Sequence, residues 1–252
     1  MFGLRIRLRP TAALTFRRVP FSTVEMLTYP FVPPTTLSGY LDRVLRLTRG
    51  VDLPEISESA NQHFYALPRS YHVLGALARP GATVITTTRQ GIRSFDHVAF
   101  SRIQRIKDKK YYQLYRWEYL FAETLVGYVL HEHEEALEPL LTLQNYGCKL
   151  GKEGWAYIEQ VEGPFALEVQ RVHAQPSCLV PAIEAFAGAT RMYPLYRYAW
   201  QESGGITHEL GGGPAPIQGF IPFLAATMDT PIEMDYYQGD GAFIPTSLLA
   251  YF

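Results

Sequence analysis

Side chains that bind phosphate are concentrated in the first half of the chain. Residues 1–120 hold 18 of the 23 lysines and arginines but only eight of the 24 acids, so their net charge is +10. Residues 121–252, with five basic and 16 acidic residues, carry −11. Fifteen of the 18 cations are arginine, whose planar guanidinium binds phosphate through two parallel donors and stacks on bases. The pattern favours a nucleic-acid ligand; the alternative is an acidic surface of the same chain or of a protein neighbour.

Cleavage of RNA without a metal needs a base for the 2′-hydroxyl and an acid or cation for the leaving 5′-oxygen. The main candidates in the basic half are His97, Tyr40 and Lys107, and the same region also holds Tyr111, Tyr112 and Lys109. These residues do not form a complete acid–base set at a convincing spacing. We therefore expect the chain to bind RNA without cutting it, with metal-independent cleavage as the alternative.

Metal and redox chemistry have little support in the sequence. His131 and His133 share one face of a predicted strand, but no third ligand stands at a useful spacing, so we expect both to be solvated. Cys148 and Cys178 provide neither a metal quartet nor a disulfide framework and are expected to be small buried residues. We predict no metal and no cofactor. Two cysteines, and no apolar stretch long enough to span a membrane, are typical of a cytoplasmic protein.

The first cationic side chains belong to a predicted strand. Apolar residues alternate with arginines from Phe2 to Arg9, and this period of two indicates a strand with one buried face and one cationic face. The candidate phosphate contacts of this strand and of the segment that follows it are Arg5, Arg7, Arg9, Arg17 and Arg18.

The segment from Tyr29 to Leu41 predicts the start of a helix. Apolar residues recur at helical spacing from Leu37 onwards, Thr35 or Thr36 can cap, and Gly50 can end the helix. Backbone N–H groups at a helix N-terminus bind anions, nearby hydroxyls add donors, and glycine permits close approach of a chain. The candidate contacts here are Thr35, Thr36, Ser38, Gly39 and Arg43. The alternative is that the prolines only set the entry angle and that the threonine only caps.

Residues 64–120 predict a long hairpin, with strand-like pieces at 64–67, 83–88 and 111–117 between basic turns. Cations alternate there with aromatic residues, as a surface for single-stranded RNA requires. Its candidate contacts are Arg89, Arg93, Arg102, Arg105, Lys107, Lys109 and Lys110. The alternative is a solvated edge hairpin whose lysines prevent aggregation. Residues 147–152 predict a further phosphate-binding turn with Lys149 and Lys152, or simply a turn.

The remaining pieces are a strand at 121–130, a short helix at 134–143 and a strand at 155–161. The order strand, helix, strands, strand, helix, strand is typical of an α+β, ferredoxin-like fold, similar to RNA-recognition motifs, with an enlarged central hairpin. We expect residues 1–165 to form this domain, including a hairpin at about 78–120. Residues 166–252 are expected to form a β-rich C-terminal elaboration that packs on it.

Two motifs resemble a known family. The stretch Pro33-Pro34-Thr35-Thr36-Leu37-Ser38-Gly39 resembles a Pro-Pro-(Ser/Thr)-x-Leu-x-Gly motif of the Cas-five family of CRISPR-associated RAMP proteins. Leu137-x-Pro139-Leu140 followed by Tyr146-Gly-Cys-Lys-Leu-Gly151-Lys152 resembles the second helix and the subsequent turn of that family. The resemblance covers about residues 1–165.

The resemblance implies a role in a type I CRISPR surveillance complex, Cascade, which acts in antiviral defence. Members of the family hold the 5′ handle of the crRNA and contact the large subunit and a neighbouring backbone subunit, and the hairpin acts as a thumb on the crRNA. Target DNA near the PAM is a further candidate partner, and no membrane is expected. Because some relatives cleave crRNA, a processing endoribonuclease is one alternative, and a protein-only assembly subunit is another.

Overall fold

The computed structural model describes residues 1–19, 22, 24–51, 65–79, 81–92, 112–185, 191–207, 209–211 and 217–252. Along the chain its elements are β1 (Phe2–Pro10), β2 (Glu25–Met26), β3 (Phe31–Val32), α1 (Pro34–Thr48), β4 (His72–Ala78), β5 (Ala82–Ile92), β6 (Tyr112–Ala122), β7 (Leu125–His131), α2 (Glu138–Leu141), β8 (Gly147–Lys149), β9 (Trp155–Ala166), β10 (Glu168–Ala174), β11 (Val180–Pro181), α3 (Ala182–Ala185), β12 (Arg191–Tyr198), β13 (Phe220–Thr227), β14 (Ile232–Gly239), β15 (Ala242–Pro245) and a 3-10 helix (Thr246–Tyr251). No helix in these ranges is long and apolar enough to cross a bilayer.

The main sheet has six strands in the order β3-β4-β7-β1-β9-β8, and every neighbouring pair is antiparallel. Its four central strands, taken with α1 between β1 and β4 and α2 between β7 and β9, have the order second, third, first, fourth. This is the ferredoxin-like arrangement. The predicted α+β fold, with an enlarged hairpin and a β-rich C-terminal elaboration, is therefore confirmed.

The alternation in β1 builds the core of the main sheet. Leu4, Ile6 and Leu8 are fully buried, and they belong to the same hydrophobic cluster as Leu37 and Leu41 of α1. Burying such a side chain contributes about 1.5–3 kcal/mol relative to leaving it exposed. The arginines of β1 lie on the opposite face, as the period of two predicts.

Helix α1 begins and ends by different means. Its N-cap is Pro33, without a side-chain capping hydrogen bond, so the predicted cap by Thr35 or Thr36 is wrong; both threonines lie in the first turn. At the other end Gly50 has φ 64°, and its N–H donates to Leu47 O while Val51 N–H donates to Arg46 O at 2.9 Å. This pair of bonds is a Schellman motif, which confirms the predicted end.

Three other element predictions are wrong in part. Residues 65–67 were predicted as part of a strand but do not form one. The nearest strand is β4, in which Gly75 at φ 80° and a register shift between Val73 and Ala76 break the alternation of side chains. The strand predicted at 121–130 is interrupted at 123–124 between β6 and β7. The helix predicted at 134–143 shortens to the single turn of α2.

The hairpin of β5 and β6 pairs from Ala82↔Ala122 to Ile92↔Tyr112. The short β2 adds to it in parallel along β6, which makes a three-stranded sheet. The residues that join β5 to β6 lie outside the described residues. They include Arg93, His97, Arg102, Arg105, Lys107, Lys109, Lys110 and Tyr111.

The C-terminal segment forms two further three-stranded sheets, β10-β14-β15 and β11-β13-β12. Tyr193 and Leu195 of β12 are buried in the same cluster as the main sheet. The hydroxyl of Tyr198 donates to Thr35 O at 2.8 Å. The second of these sheets therefore packs against the start of α1.

Candidate nucleic-acid interface

A cleft of about 490 Å³ lies between α1 and the turn that follows β8. We call it the basic cleft. Its lining residues are Phe16, Arg17, Thr36, Gly39, Tyr40, Arg43, Tyr65, Lys149, Leu150, Gly151 and Lys152. The fold thus brings together predicted contacts from three separate segments: the stretch after β1, the first helix and the 147–152 turn.

The basic cleft is lined by cations. Among the described residues, its lining contains four cations and no carboxylate. None of these four takes part in an ion pair within the described ranges. A concave site lined by one sign of charge focuses the electrostatic field and concentrates counter-ions of opposite sign. The cleft is therefore suited to a polyanion.

Helix periodicity decides which α1 residues face the cleft. Residues three or four apart lie on the same face of a helix. Thr36, Gly39 and Arg43 of α1 have this spacing and line the cleft. Thr35 and Ser38 lie on another face, where the Thr35 carbonyl accepts the Tyr198 hydroxyl and the Ser38 hydroxyl accepts Leu67 N–H at 3.0 Å. These two predicted contacts are thus used inside the protein.

Two residues near the middle of α1 position the cleft wall. A Cβ on Gly39 would lie 2.8 Å from Tyr65 O. The backbone that approaches Gly39 closely is therefore that of Tyr65 in the protein itself. The Arg43 guanidinium carbon lies 5.9 Å from the centroid of the Tyr65 ring. The Arg43 Nε atom is buried and has no hydrogen-bond partner within the described part of the chain. Buried donors are usually paired, so this atom is an exception among the described residues.

The opposite wall is a tight turn held against the segment after β1. Gly151 has φ 81°, and a Cβ there would lie 2.6 Å from Thr15 O. Lys152 N–H donates to the same Thr15 oxygen at 2.8 Å. These contacts fix the backbone that carries Lys149 and Lys152. Cys148, just before the turn, is buried as predicted, and burial raises the pKa of its thiol to about 11.

The arginines of β1 are mostly paired with carboxylates. Arg5 binds Glu162 at 2.8 Å and Asp240 at 3.0 Å, and Arg9 binds Glu159 at 2.8 Å. Burial lowers the pKa of Arg5, but hydrogen bonds to Tyr128 and Glu162 outweigh this effect and raise it above its ordinary value. Their contact with RNA stays a prediction, because a phosphate would have to displace these acids. Arg7 lies on the same face without an ion pair among the described residues.

Two further predicted contacts stack on aromatic rings. The Arg18 guanidinium carbon lies 5.4 Å from the Tyr193 ring centroid, and its Nε is buried without a hydrogen-bond partner in the described ranges. Arg89 on β5 lies 4.6 Å from the Trp117 ring centroid and binds both carboxylate oxygens of Glu153.

The candidate catalytic residues are not assembled within the described residues. The Tyr40 hydroxyl is buried and donates to Ala156 O at 2.9 Å, and burial raises the pKa of this phenol. A phenol held in this way is a poor base. His97, Lys107, Lys109 and Tyr111 lie outside the described residues, and so does the side chain of Tyr112.

The histidine pair differs from its prediction. His131 is buried rather than solvated, and its Nδ1 accepts His133 N–H at 2.9 Å. His133 is exposed. Within the described ranges, no cluster of three or more His, Cys, Asp or Glu residues could hold a metal ion.

Sequence reasoning missed Tyr65, Trp117 and Glu153. The sequence around Tyr65 has no helical or strand periodicity of apolar residues, and Glu153 has the sequence features of an ordinary turn residue. Their roles arise from contacts with residues far away in the sequence. Trp117 had a weak signal, because it continues the aromatic alternation of Tyr115 along β6.

No family model and no curated protein matches this sequence. Among solved structures, a chain of the type III-B Cmr-beta complex bound to cognate target RNA is similar at 12% identity and a TM-score of 0.46, covering 91% of this chain and 86% of that one. The same complex bound to target RNA and AMPPnP gives 12% and 0.45. A CRISPR protein from Archaeoglobus fulgidus gives 14% and 0.44, covering 96% and 98%. Because all three TM-scores lie below 0.5, the fold assignment depends on the strand order of this chain itself.

Proposed function

We propose that this chain is an RNA-binding subunit of a CRISPR effector complex. The observation that carries the proposal is the basic cleft, in which four cations and no carboxylate surround a space of about 490 Å³. The two motifs that resemble the Cas-five family supply opposite walls of this cleft. Thr36 and Gly39 come from the first motif, and Lys149 and Lys152 come from the second.

The finer assignment is a crRNA-binding subunit of a type I Cascade complex. In this role the chain holds the 5′ handle and contacts a backbone subunit and the large subunit, with target DNA near the PAM as a further partner. Residues 1–165 form the RAMP domain, and residues 166–252 form the C-terminal elaboration. The family resemblance of the two motifs supports this assignment.

Binding in the basic cleft follows from simple electrostatics. Lys149, Lys152 and Arg17 attract phosphates, and Arg43 adds a buried donor that lacks a partner. The N–H groups of Thr35 and Thr36 stand in the first turn of α1, where a helix favours anions. If the four cations each neutralise one phosphate, log K against log salt should have a slope of about −2.8 for single-stranded RNA.

The proposed subunit holds RNA and does not cut it. Tyr40, the described member of the candidate acid–base set, donates to a backbone carbonyl and has a raised pKa. A metal-independent processing endoribonuclease is the second candidate function, because His97 and Lys107 belong to the same hairpin. A protein-only assembly subunit is the third, and it would bind no RNA by itself.

The test is a charge-matched pair of double variants. Lys149→Ala with Lys152→Ala removes two cleft cations, whereas Arg171→Ala with Arg191→Ala removes two exposed cations from β10 and β12. In fluorescence anisotropy with crRNA, the first variant should bind more weakly, with a salt slope less steep by about 1.4. The second should bind as the wild type does. Equal losses in both, or no RNA binding by the wild type, would contradict the proposal.

A further inference from the structure

The Arg89 guanidinium lies over two aromatic rings on one face of the β5–β6 hairpin. Its guanidinium carbon is 4.6 Å from the Trp117 ring centroid and 5.1 Å from that of Tyr119. The two rings are 6.3 Å apart with an interplanar angle of 22°. Such stacking is typical of arginine because its guanidinium is planar and weakly hydrated.

Glu153 holds this guanidinium in a fixed orientation. Its two oxygens accept Arg89 Nη1 at 3.1 Å and Nη2 at 3.2 Å, and the Tyr119 hydroxyl donates to Oε2 at 3.0 Å. The backbone of Glu153 is fixed in turn, because its carbonyl accepts Thr15 N–H at 3.0 Å. A bidentate pair of this kind constrains geometry as well as adding energy.

Nearly half of the Arg89 side chain remains accessible. It keeps 46% of its accessible surface, although its guanidinium lies over Trp117 and is bound by Glu153. Since Glu153 already neutralises the charge, a phosphate would have to displace that carboxylate. A nucleobase needs no such displacement, since bases stack on arginine planes as they do on aromatic rings.

We propose that Arg89, stacked on Trp117 and clamped by Glu153, is a platform on which one unstacked RNA base stacks. The inference rests on the proposed RNA-binding function and adds a subsite to it. Glu153 directly follows Lys152 of the basic cleft in the chain, so the backbone of the same turn carries a cleft cation and the carboxylate that binds Arg89. On the same hairpin face, Ile85 and Phe121 are exposed by 45% and 46% and extend the apolar surface.

Arg89→Lys tests the platform, because lysine keeps the charge but has no planar group. Two probes of about ten nucleotides are compared, oligouridylate and an oligomer of the same length made of abasic ribose phosphate. Arg89→Lys should weaken binding of oligouridylate by about 5- to 150-fold, the effect of one lost base stack. Binding of the abasic oligomer should not change, nor should the salt slope of either probe.

Glu153→Gln provides a second variant, in which Glu153 acts as a positioning residue. It should weaken binding of oligouridylate relative to the abasic oligomer, because the bidentate carboxylate no longer orients the guanidinium. The Arg89 charge that it frees should make the salt slope of both probes steeper. If Arg89→Lys binds both probes as the wild type does, or weakens both equally, the platform is wrong and the RNA-binding function stands. If the wild-type protein binds neither probe, the proposed function fails as well.

Discussion

At the scale of single residues, pairing within the fold separates cations that are already bound to a carboxylate from cations without an ion pair among the described residues. Arg5, Arg9 and Arg89 hold carboxylates at 2.8–3.1 Å. Arg17 and Arg43, by contrast, line a cleft without an acid. All of these are arginines in a basic half, and composition alone does not distinguish them. The distinction comes from which acids the later strands bring beside β1 and β5.

We predict that Arg43→Ala weakens RNA binding more than Arg9→Ala does. Both changes remove one arginine, but Arg43 has a buried donor without a partner in the described ranges and Arg9 is already bound by Glu159. Arg43→Ala should make the salt slope less steep by about 0.7, the value of one phosphate contact. Titrations with single-stranded RNA at several salt concentrations measure both quantities. A larger loss for Arg9→Ala would place the RNA on the face of the main sheet instead.

At the scale of elements, α1 serves two surfaces at once. One face lines the basic cleft, and another accepts hydrogen bonds from Leu67 and Tyr198. Gly39 stands beside the chain at Tyr65, and this close approach sets the distance between the helix and the cleft wall. The helix is therefore positioned by packing contacts that have no direct part in binding a ligand.

Gly39→Ala should destabilise the protein by about 1–3 kcal/mol, the usual cost of overpacking a close contact. The added Cβ would lie 2.8 Å from Tyr65 O and would push away the segment that bonds Ser38. Gly81→Ala is the matched control, because nothing lies within 4 Å of a Cβ at that position. Urea unfolding measures both. A neutral Gly39→Ala would show that the 65–67 segment shifts at little cost.

Periodicity in the sequence was sufficient to predict β1 and α1, because each buries one continuous face. The hairpin strands were predicted from β-forming residues between basic turns, although the described side chains of β5 are almost all exposed. Periodicity failed for β4, where Gly75 and a bulge break the alternation. Many of the residues that line the basic cleft were predicted as phosphate contacts. That they would lie together in one cleft was not predicted. Arg43 and Lys149 meet only because β8 and α1 pack together, and no local pattern encodes that contact. Arg89 and Glu153 lie in contact for the same kind of reason.

At the scale of the whole molecule, the two oppositely charged halves of the sequence interleave in space. Arg5, Arg9 and Arg89 come from residues 1–120, and their partners Glu162, Glu159 and Glu153 come from residues 121–252. Part of the basic half thus binds an acidic surface of the same chain, which was the alternative to nucleic acid. In the basic cleft, the four cations have no such carboxylate partner among the described residues.

We predict that the wild-type protein, incubated with its own repeat RNA and EDTA, shifts the RNA on a gel and leaves it intact. The physical reason is the absence of an assembled acid–base set among the described residues. Such groups each contribute typically 10²–10⁴-fold to a rate. His97→Ala and Tyr40→Phe serve as controls and should behave as the wild type does. A discrete product at the handle boundary, lost in either variant, would make the processing endoribonuclease the better assignment.

The position of β1 also affects how the protein is made. β1 precedes both of its neighbours in the main sheet, β7 and β9, which end at residues 131 and 166. At a rate of synthesis of about 5–20 residues per second, both edges of β1 remain unpaired for on the order of 10 to 30 seconds. When residues 1–120 have been synthesised, this stretch has a net charge of +10 and the apolar face of β1 is still uncovered. The nascent chain is therefore exposed to capture by ribosomal RNA and to aggregation until β9 has been synthesised.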